Sequence, residues 1–170
     1  MSQRLFFAIQ PAAQAAQQIT ELMQQLDQPG LRFYPPENLH QTLVFLGQAG
    51  AEKQAVLIQQ AGRLTLRRFR MRFDRLIHWP KPKVLCLTAA DIPQPLVQLV
   101  STLENLALKL DFQIEKRPYR PHITLARKAT QAVDVELTPI EFEATHFVLM
   151  VSTPSENGVR YLPLQRWELA

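Results

Sequence analysis

The chain is 170 residues long, with 46% hydrophobic and 20% charged residues, a composition that excludes an intrinsically disordered protein. No apolar stretch approaches the roughly 18 residues of a membrane-spanning helix, and the single cysteine, Cys86, excludes an intrachain disulfide. The net charge of +4 weakly favours a polyanionic or phosphate-bearing ligand. Because the first residues also lack a signal-peptide pattern, we expect a cytoplasmic protein with no membrane partner.

The first half of the chain predicts a strand, a helix and a second strand. Residues 5–9 form a short apolar run typical of a buried strand. Pro11 then opens a helix whose apolar residues recur every three or four positions until Pro29-Gly30 ends it. The second strand is predicted over residues 38–46, with Gly47 at its end.

The second half repeats this order 82 positions later. Residues 84–89 predict a strand, and Pro93 begins a helix with its own apolar stripe. The spacing from proline to the first motif histidine is the same in both halves, since 40 − 11 = 29 and 122 − 93 = 29. The pattern indicates an internal duplication of a strand–helix–strand unit.

Each unit ends in the same short motif. The first copy is His40-Gln41-Thr42-Leu43 and the second is His122-Ile123-Thr124-Leu125. Successive side chains of a strand point to opposite faces, so the histidine and threonine of each copy share one face.

Further elements follow each unit. The first half adds a helix over residues 51–64, with apolar positions at Ala55, Val56, Ile58 and Leu64, and a strand with alternating apolar residues over 69–73. The second half adds an alternating strand over residues 140–144 and a hairpin around Asn157-Gly158. We predict an α+β fold in a single two-lobed domain, residues 1–170. Its two lobes are related by a pseudo-twofold axis, each a mostly antiparallel sheet with outer helices, and they enclose a central cleft.

The paired motifs supply the groups for acid–base chemistry on a phosphodiester. Two histidines with ordinary pKa values near 6.5 can divide the work, one neutral as the base and one protonated as the acid. Thr42 and Thr124 can donate hydrogen bonds to phosphoryl oxygens from opposite sides. A metal site is the weaker interpretation, since neither motif strand offers a third ligand, and we expect no metal and no cofactor.

Four segments around these motifs resemble the RNA 2′,3′-cyclic phosphodiesterases, also called 2′-5′ RNA ligases, of the two-histidine phosphoesterase superfamily with its HxTx motif. They are residues 4–9, 38–47, 117–127 and 161–164. The resemblance implies hydrolysis of a terminal 2′,3′-cyclic phosphate on RNA to a 2′-phosphate, with reversible 2′-5′ ligation. It also implies that His40 donates a proton to the leaving 3′-oxygen and that His122 accepts one from water.

Substrate contacts are expected from four more residues. Phe45 and Arg127 stand at matching positions of the two copies and would stack a base and contact the phosphate or base. Both lie at odd offsets from the histidines, so a β-bulge or a strand end is needed to bring them to the same face. Tyr119 and Arg120 precede the second motif and are predicted at the cleft mouth.

Two other functions stay open at this point. One is a phosphodiesterase for a small cyclic nucleotide or a 2′-5′ oligonucleotide, and the other is a non-catalytic RNA-binding module. The expected partner is RNA with a 2′,3′-cyclic phosphate end, tRNA fragments included, or a nucleotide. We expect a monomer, because the pseudo-twofold axis is already internal.

Overall fold

Alternating and continuous apolar runs become ten strands, which pack against three α-helices in the computed structural model. The structure describes residues 1–115 and 117–170. The strands are β1 (Gln3–Ile9), β2 (Arg32–Phe33), β3 (Gln41–Ala49), β4 (Phe69–Phe73), β5 (Arg75–Trp79), β6 (Val84–Thr88), β7 (His122–Arg127), β8 (Ile140–Ala144), β9 (His146–Ser155) and β10 (Gly158–Glu168). The helices are α1 (Ala13–Gln24), α2 (Ala51–Ala61) and α3 (Gln94–Lys109). The helix α3 is not long and apolar enough to cross a membrane, nor is any other helix of the described residues.

The strands form one large sheet and one small one. The large sheet has the order β10-β9-β1-β3-β7-β6-β5, with β2 added beside β7, and β4 pairs with β8 in the small sheet. All of these described pairings are antiparallel. The predicted α+β class with antiparallel sheets is therefore confirmed.

The duplication is visible in the pairing register. Gln41 pairs with Ile123, its own repeat equivalent, because 123 − 41 = 82. Met71 pairs with Phe142 in the small sheet, at an offset of 142 − 71 = 71. The offset therefore falls by 82 − 71 = 11 residues, which is the length of α2, the helix that only the first copy contains. The pair Gln41–Ile123 thus joins equivalent positions of the two copies, as the predicted pseudo-twofold relation requires.

One strand of each copy pairs with a strand of the other copy in the large sheet. β5 comes from the first half but pairs with β6 of the second, and β9 comes from the second half but pairs with β1 of the first. The prediction that the segment now seen as β9 stays in the lobe of the second copy is therefore wrong, and β5 was not predicted as a strand. Hydrophobicity alternates in the same way in either place, so the sequence pattern does not reveal which partner a strand takes.

Two local expectations also need correction. β3 does not end at Gly47 but continues to Ala49, and Gly47 takes a positive φ of 77° at a register shift opposite Leu5. A bulge of this kind accepts glycine easily because the residue has no Cβ. The helix α2 ends at Ala61 and buries Leu57 and Ala61, whereas Val56 of the predicted stripe is exposed.

The main core fills the face of the sheet opposite the motif side chains. Leu5, Phe7 and Ile9 of β1 pack there with the apolar stripes of α1 and α3, including Ile19 and Leu99. A second small cluster of Phe6, Ala8, Val148 and Met150 lies on the other face of β1, with Tyr161 packed against it. This second cluster forms the floor beside the first motif.

Candidate active site

The two motifs meet where the halves of the large sheet join. The pair Gln41–Ile123 is the only described register pair between β3 and β7, and both of its side chains are fully buried on the core face. The neighbouring positions are His40 and Thr42 on one strand and His122 and Thr124 on the other, all half-buried. Adjacent strands lie about 5 Å apart, so the four polar side chains share one patch on the opposite face.

A duplicated β-bulge brings Phe45 and Arg127 onto this face. Thr42 pairs with Ala8 and Phe45 with Phe6, so the register shifts by one residue between them. In the second copy Thr124 pairs with Cys86 and Arg127 with Val84, again with a one-residue shift. Ala8 and Phe6 are two residues apart on β1, as Cys86 and Val84 are on β6, so the members of each pair point to the same face. Their partners Phe45 and Arg127 therefore lie on the same face as the motif threonines, despite the odd offset. The structural condition stated from the sequence is therefore met.

The two histidines are held by the same backbone contact. The Nδ1 of His40 lies 2.7 Å from the carbonyl oxygen of Asn38, and the Nδ1 of His122 lies 2.8 Å from that of Arg120. A carbonyl only accepts hydrogen bonds, so Nδ1 carries the proton in both rings. The Nε2 atom of each neutral ring is therefore the one left to exchange protons.

The surroundings of the two rings differ. The Nε2 of His40 lies 3.0 Å from the Thr42 hydroxyl, whereas the Thr124 hydroxyl lies 3.5 Å from the sulfur of Cys86. His40 packs between Phe6 and Tyr161, with ring centroids at 5.0 and 4.9 Å. His122 instead meets the edge of Trp79 at 4.9 Å.

Burial lowers the pKa of both histidines. For His40, loss of solvent lowers the pKa most, the hydrogen bond to Asn38 raises it, and the charge of His122 lowers it further. For His122, burial again dominates, the bond to Arg120 opposes it, and Arg117 lowers the pKa. Both rings are therefore neutral at pH 7 in the free protein, and a bound anion would favour protonation.

Two tyrosines hold Arg127 beside the site. Its Nε and Nη2 donate to the Tyr34 hydroxyl at 3.1 and 2.9 Å, and Nη2 reaches the Tyr161 hydroxyl at 3.5 Å. Burial raises the pKa of Tyr161 to about 12, so this hydroxyl stays neutral. Phe45 is 57% exposed at the same face, 6.0 Å from Phe6.

Tyr34, Phe6, Trp79 and Tyr161 were missed as neighbours of the site. Phe6 and Tyr161 belong to segments that carry the resemblance, but the sequence predicted no contact for either. All four come from outside the motif strands. A cavity of about 750 Å³ beside the site shares Tyr34 and Asn38 with it but contains neither histidine.

Tyr119, predicted at the cleft mouth, is half-buried, and its hydroxyl is bound by the first motif strand. Its hydroxyl points into the protein, donates to the carbonyl oxygen of Thr42 at 2.7 Å and accepts from the Gln41 amide at 3.0 Å. Tyr119 thus ties the loop before the second motif to the first motif strand, below the site. The side chain of Arg120 is exposed, and its described contact with the site is through the main chain.

Cys86 and two arginines of β4 behave as structural residues. Cys86 is fully buried, and burial raises its thiol pKa to about 11, which keeps it protonated. Arg70 and Arg72 of β4 pair with Glu141 of β8 at 3.2 and 3.4 Å. Within residues 1–115 and 117–170, no three His, Cys, Asp or Glu side chains are grouped to hold a metal ion.

Comparison with known proteins identifies relatives of this chain. The chain is 35% identical to RNA 2′,3′-cyclic phosphodiesterase of Escherichia coli (strain K12) over 98% of its own length and 97% of that protein. It is 26% identical to a protein of the same name from Methanocaldococcus jannaschii, over 96% and 99% of the two chains.

Solved structures agree. The crystal structure of E. coli LigT complexed with 3′-AMP superposes with a TM-score of 0.90 at 35% identity, over 99% of each chain. A protein of Thermus thermophilus, TT0787, follows with a TM-score of 0.80 at 26% identity, over 98% and 97% of the two chains. A family model described as the 2′-5′ RNA ligase superfamily matches residues 9–156. The chain therefore belongs to the 2′-5′ RNA ligase superfamily.

Proposed function

We propose that this protein is a hydrolase that opens the 2′,3′-cyclic phosphate at the 3′ end of RNA, without a metal ion, to leave a 2′-phosphate. The observation that carries this proposal is the meeting of two His–Thr pairs on one face of the β3–β7 junction. Both rings use Nδ1 for the backbone, which leaves two Nε2 atoms for proton transfer across one small site.

The reaction follows from these groups. The Nε2 of His122 takes a proton from water as the water oxygen forms a bond to phosphorus. The bond from phosphorus to the 3′-oxygen breaks, and the Nε2–H of protonated His40 gives its proton to that oxygen. Thr42 and Thr124 donate hydrogen bonds to the two non-bridging oxygens and offset the charge that grows on them. His122 ends protonated and His40 neutral, so a proton exchange with solvent resets the site.

The environments of the rings support this division of roles. Among the described residues, Nε2 of His122 has no hydrogen-bond partner and is open to a water molecule, as a base requires. Nε2 of His40 is bonded to Thr42, which also belongs to the proposed phosphate site. The negative charge of a bound cyclic phosphate raises the pKa of the nearby ring and so favours protonated His40.

The same groups serve the reverse reaction. With a 5′-hydroxyl in place of water, the cyclic end would be joined through a 2′-5′ linkage, with the histidines exchanging roles. Water is in large excess, so hydrolysis is the expected net direction.

The test is hydrolysis of a nucleoside 2′,3′-cyclic phosphate in EDTA. Activity that persists in the chelator and disappears in His40→Ala and His122→Ala supports the proposal. Unchanged activity in either variant contradicts it. Identification of the product as the 2′- or the 3′-phosphate reports which oxygen left and tests the assignment of acid and base.

A small nucleotide is the second candidate substrate. The E. coli LigT structures hold 3′-AMP in one case and NADP⁺ in another. The exposed ring of Phe45 beside the motif could stack a base from either a free nucleotide or an RNA end. Comparison of kcat/KM for a cyclic mononucleotide and for a short oligonucleotide with a cyclic end separates the two.

Three further expectations stay predictions. They are a single domain over residues 1–170, a monomer and a cytoplasmic location. Limited proteolysis and size-exclusion chromatography coupled to light scattering test the first two, and cell fractionation tests the third. Binding to tRNA fragments is part of the same proposal and is tested with the RNA substrates above.

A further inference from the structure

The carbonyl groups that hold the two histidines are themselves held in different ways. Arg120, which bonds His122, is exposed. Asn38, which bonds His40, is only 4% exposed and lies in a single helical turn, where its N–H donates to the carbonyl of Pro35 at 2.9 Å. Repeat-equivalent positions therefore carry an exposed cation in one copy and a buried amide in the other.

The buried amide of Asn38 pairs with the edge strand β10. Its Nδ2 donates to the carbonyl of Val159 at 2.8 Å, and its Oδ1 accepts from the N–H of Tyr161 at 3.2 Å. Residues i and i+2 of a strand direct these groups to the same side, where a neighbouring strand would bind them. β10 is the last strand of the large sheet, so the side chain of Asn38 satisfies part of a free edge.

Asn38 therefore supports His40 in two ways. The main chain of Asn38 sets the tautomer of the ring at Nδ1, and its side chain fixes the segment of β10 that carries Tyr161. Tyr161 in turn packs edge-on against the His40 ring and contacts Arg127. A ring held on its Nδ1 side and on one edge keeps Nε2 aimed at a single place.

We propose that Asn38 is a positioning residue for His40, holding its tautomer and orientation by clamping the turn before the first motif to the C-terminal hairpin β9–β10. The inference rests on the proposed function for its kinetic consequences and on the structure alone for its effect on the ring. His122 has no such clamp among the described residues, so the effect is specific to one of the two histidines.

Asn38→Ala is the main variant, and Gln28→Ala is its matched control. Gln28 is also a buried amide that bridges main-chain groups, donating to the carbonyl of Gln131 at 2.9 Å and accepting from the N–H of Thr130 at 2.6 Å, but it has no described contact with either motif. Misplacement of a reacting group by about 1 Å can cost about 100-fold in rate. We expect Asn38→Ala to lower kcat by about 10- to 100-fold with KM nearly unchanged, and Gln28→Ala to leave both near wild type.

The pH profile separates positioning from general loss of stability. The titratable groups facing His40 are Tyr161 from β10 and His122 from β7, with Arg127 behind Tyr161. The bond from Nδ1–H to Asn38 raises the pKa of His40, so its weakening moves the alkaline limb of kcat to lower pH. The acidic limb, which belongs to His122, stays in place.

A long-range ¹H–¹⁵N NMR spectrum tests the ring directly and needs no activity. Wild type should show His40 as the Nδ1–H tautomer, and Asn38→Ala should show a mixture, with His122 unchanged. If Asn38→Ala does not fold, Asn38→Ser replaces it, since the shorter hydroxyl can keep one of the two bonds. An unchanged tautomer and a kcat loss no larger than that of Gln28→Ala would overturn the inference. Absence of hydrolysis in wild type would count against the proposed function and leave the NMR result to decide this one.

Discussion

His40 and His122 share a backbone contact at Nδ1, but different groups surround the rest of each ring. His40 lies between Phe6 and Tyr161 with Thr42 on its Nε2, whereas His122 meets Trp79 and has an open Nε2 among the described residues. The shared backbone contact lies within the repeated segment, and the different aromatic neighbours come from β1, β10 and β5, outside the motif strands. Duplication thus supplies two similar histidines, and tertiary packing gives them unequal surroundings.

Removal of either imidazole should have the largest effect on activity, because it deletes one of the two rings compared above. His40→Ala and His122→Ala should each lower kcat by about 10²- to 10⁴-fold, the usual contribution of general acid–base catalysis. The double variant should have a kcat only slightly below that of the less active single variant, because the effects of two groups that act in one step do not add. The measurement is single-turnover hydrolysis of a cyclic phosphate, with His146→Ala as the control. If the fold-loss of kcat in the double variant equalled the two single fold-losses multiplied together, the histidines would not act as a concerted pair.

The threonines test whether both copies hold the phosphate. Thr42→Val and Thr124→Val should each lower kcat by about 100-fold, as loss of one donor to a developing negative charge usually does. Thr42→Ser and Thr124→Ser keep the hydroxyl and should retain most of the activity. If only one valine variant lost activity, the phosphate would be held from one side, and the symmetric site would be wrong.

Phe45 and Arg127 occupy equivalent positions after the bulge but offer different chemistry. Phe45→Ala should raise KM for a cyclic nucleotide by about tenfold, since stacking on an aromatic ring contributes about 1–3 kcal/mol per base. An abasic ribose cyclic phosphate should show no such change. Arg127→Met should raise KM for both substrates if the cation contacts the phosphate, and only for the cyclic nucleotide if it contacts the base. Equal effects of Phe45→Ala on both substrates would point to a packing role.

The pH dependence should show the smallest effect. Burial lowers both histidine pKa values from 6.5, so the singly protonated pair of the free protein is most populated below that pH. The optimum of kcat/KM should lie below pH 6.5, and activity should fall as pH rises through the lowered pKa of His40. Bound anion raises these pKa values, so the optimum of kcat should lie at higher pH than that of kcat/KM. An optimum of kcat/KM above pH 7 would contradict the lowering of the two histidine pKa values by burial.

Much of the site could be predicted from the sequence because the relevant information is local. The 29-residue spacing and the His-x-Thr pattern place His40, Thr42, His122 and Thr124 on two equivalent strands. The odd offsets of Phe45 and Arg127 required a bulge, and one is present in each copy. The direction of the Tyr119 hydroxyl could not be predicted, because it depends on Gln41, a partner 78 positions away.

Periodicity and spacing along the chain were enough to establish the repeated unit, the antiparallel α+β class and the four polar residues of the motifs. Tertiary packing was needed to pair β5 and β9 with the opposite copies, and to bring Tyr161, Trp79 and Asn38 to the histidines that they flank or hold. Strand partners are chosen by packing over long sequence distances, and alternating apolar residues fit several partners equally well. Because packing selects different neighbouring strands for the two copies, the two motifs have the same sequence pattern but different surroundings.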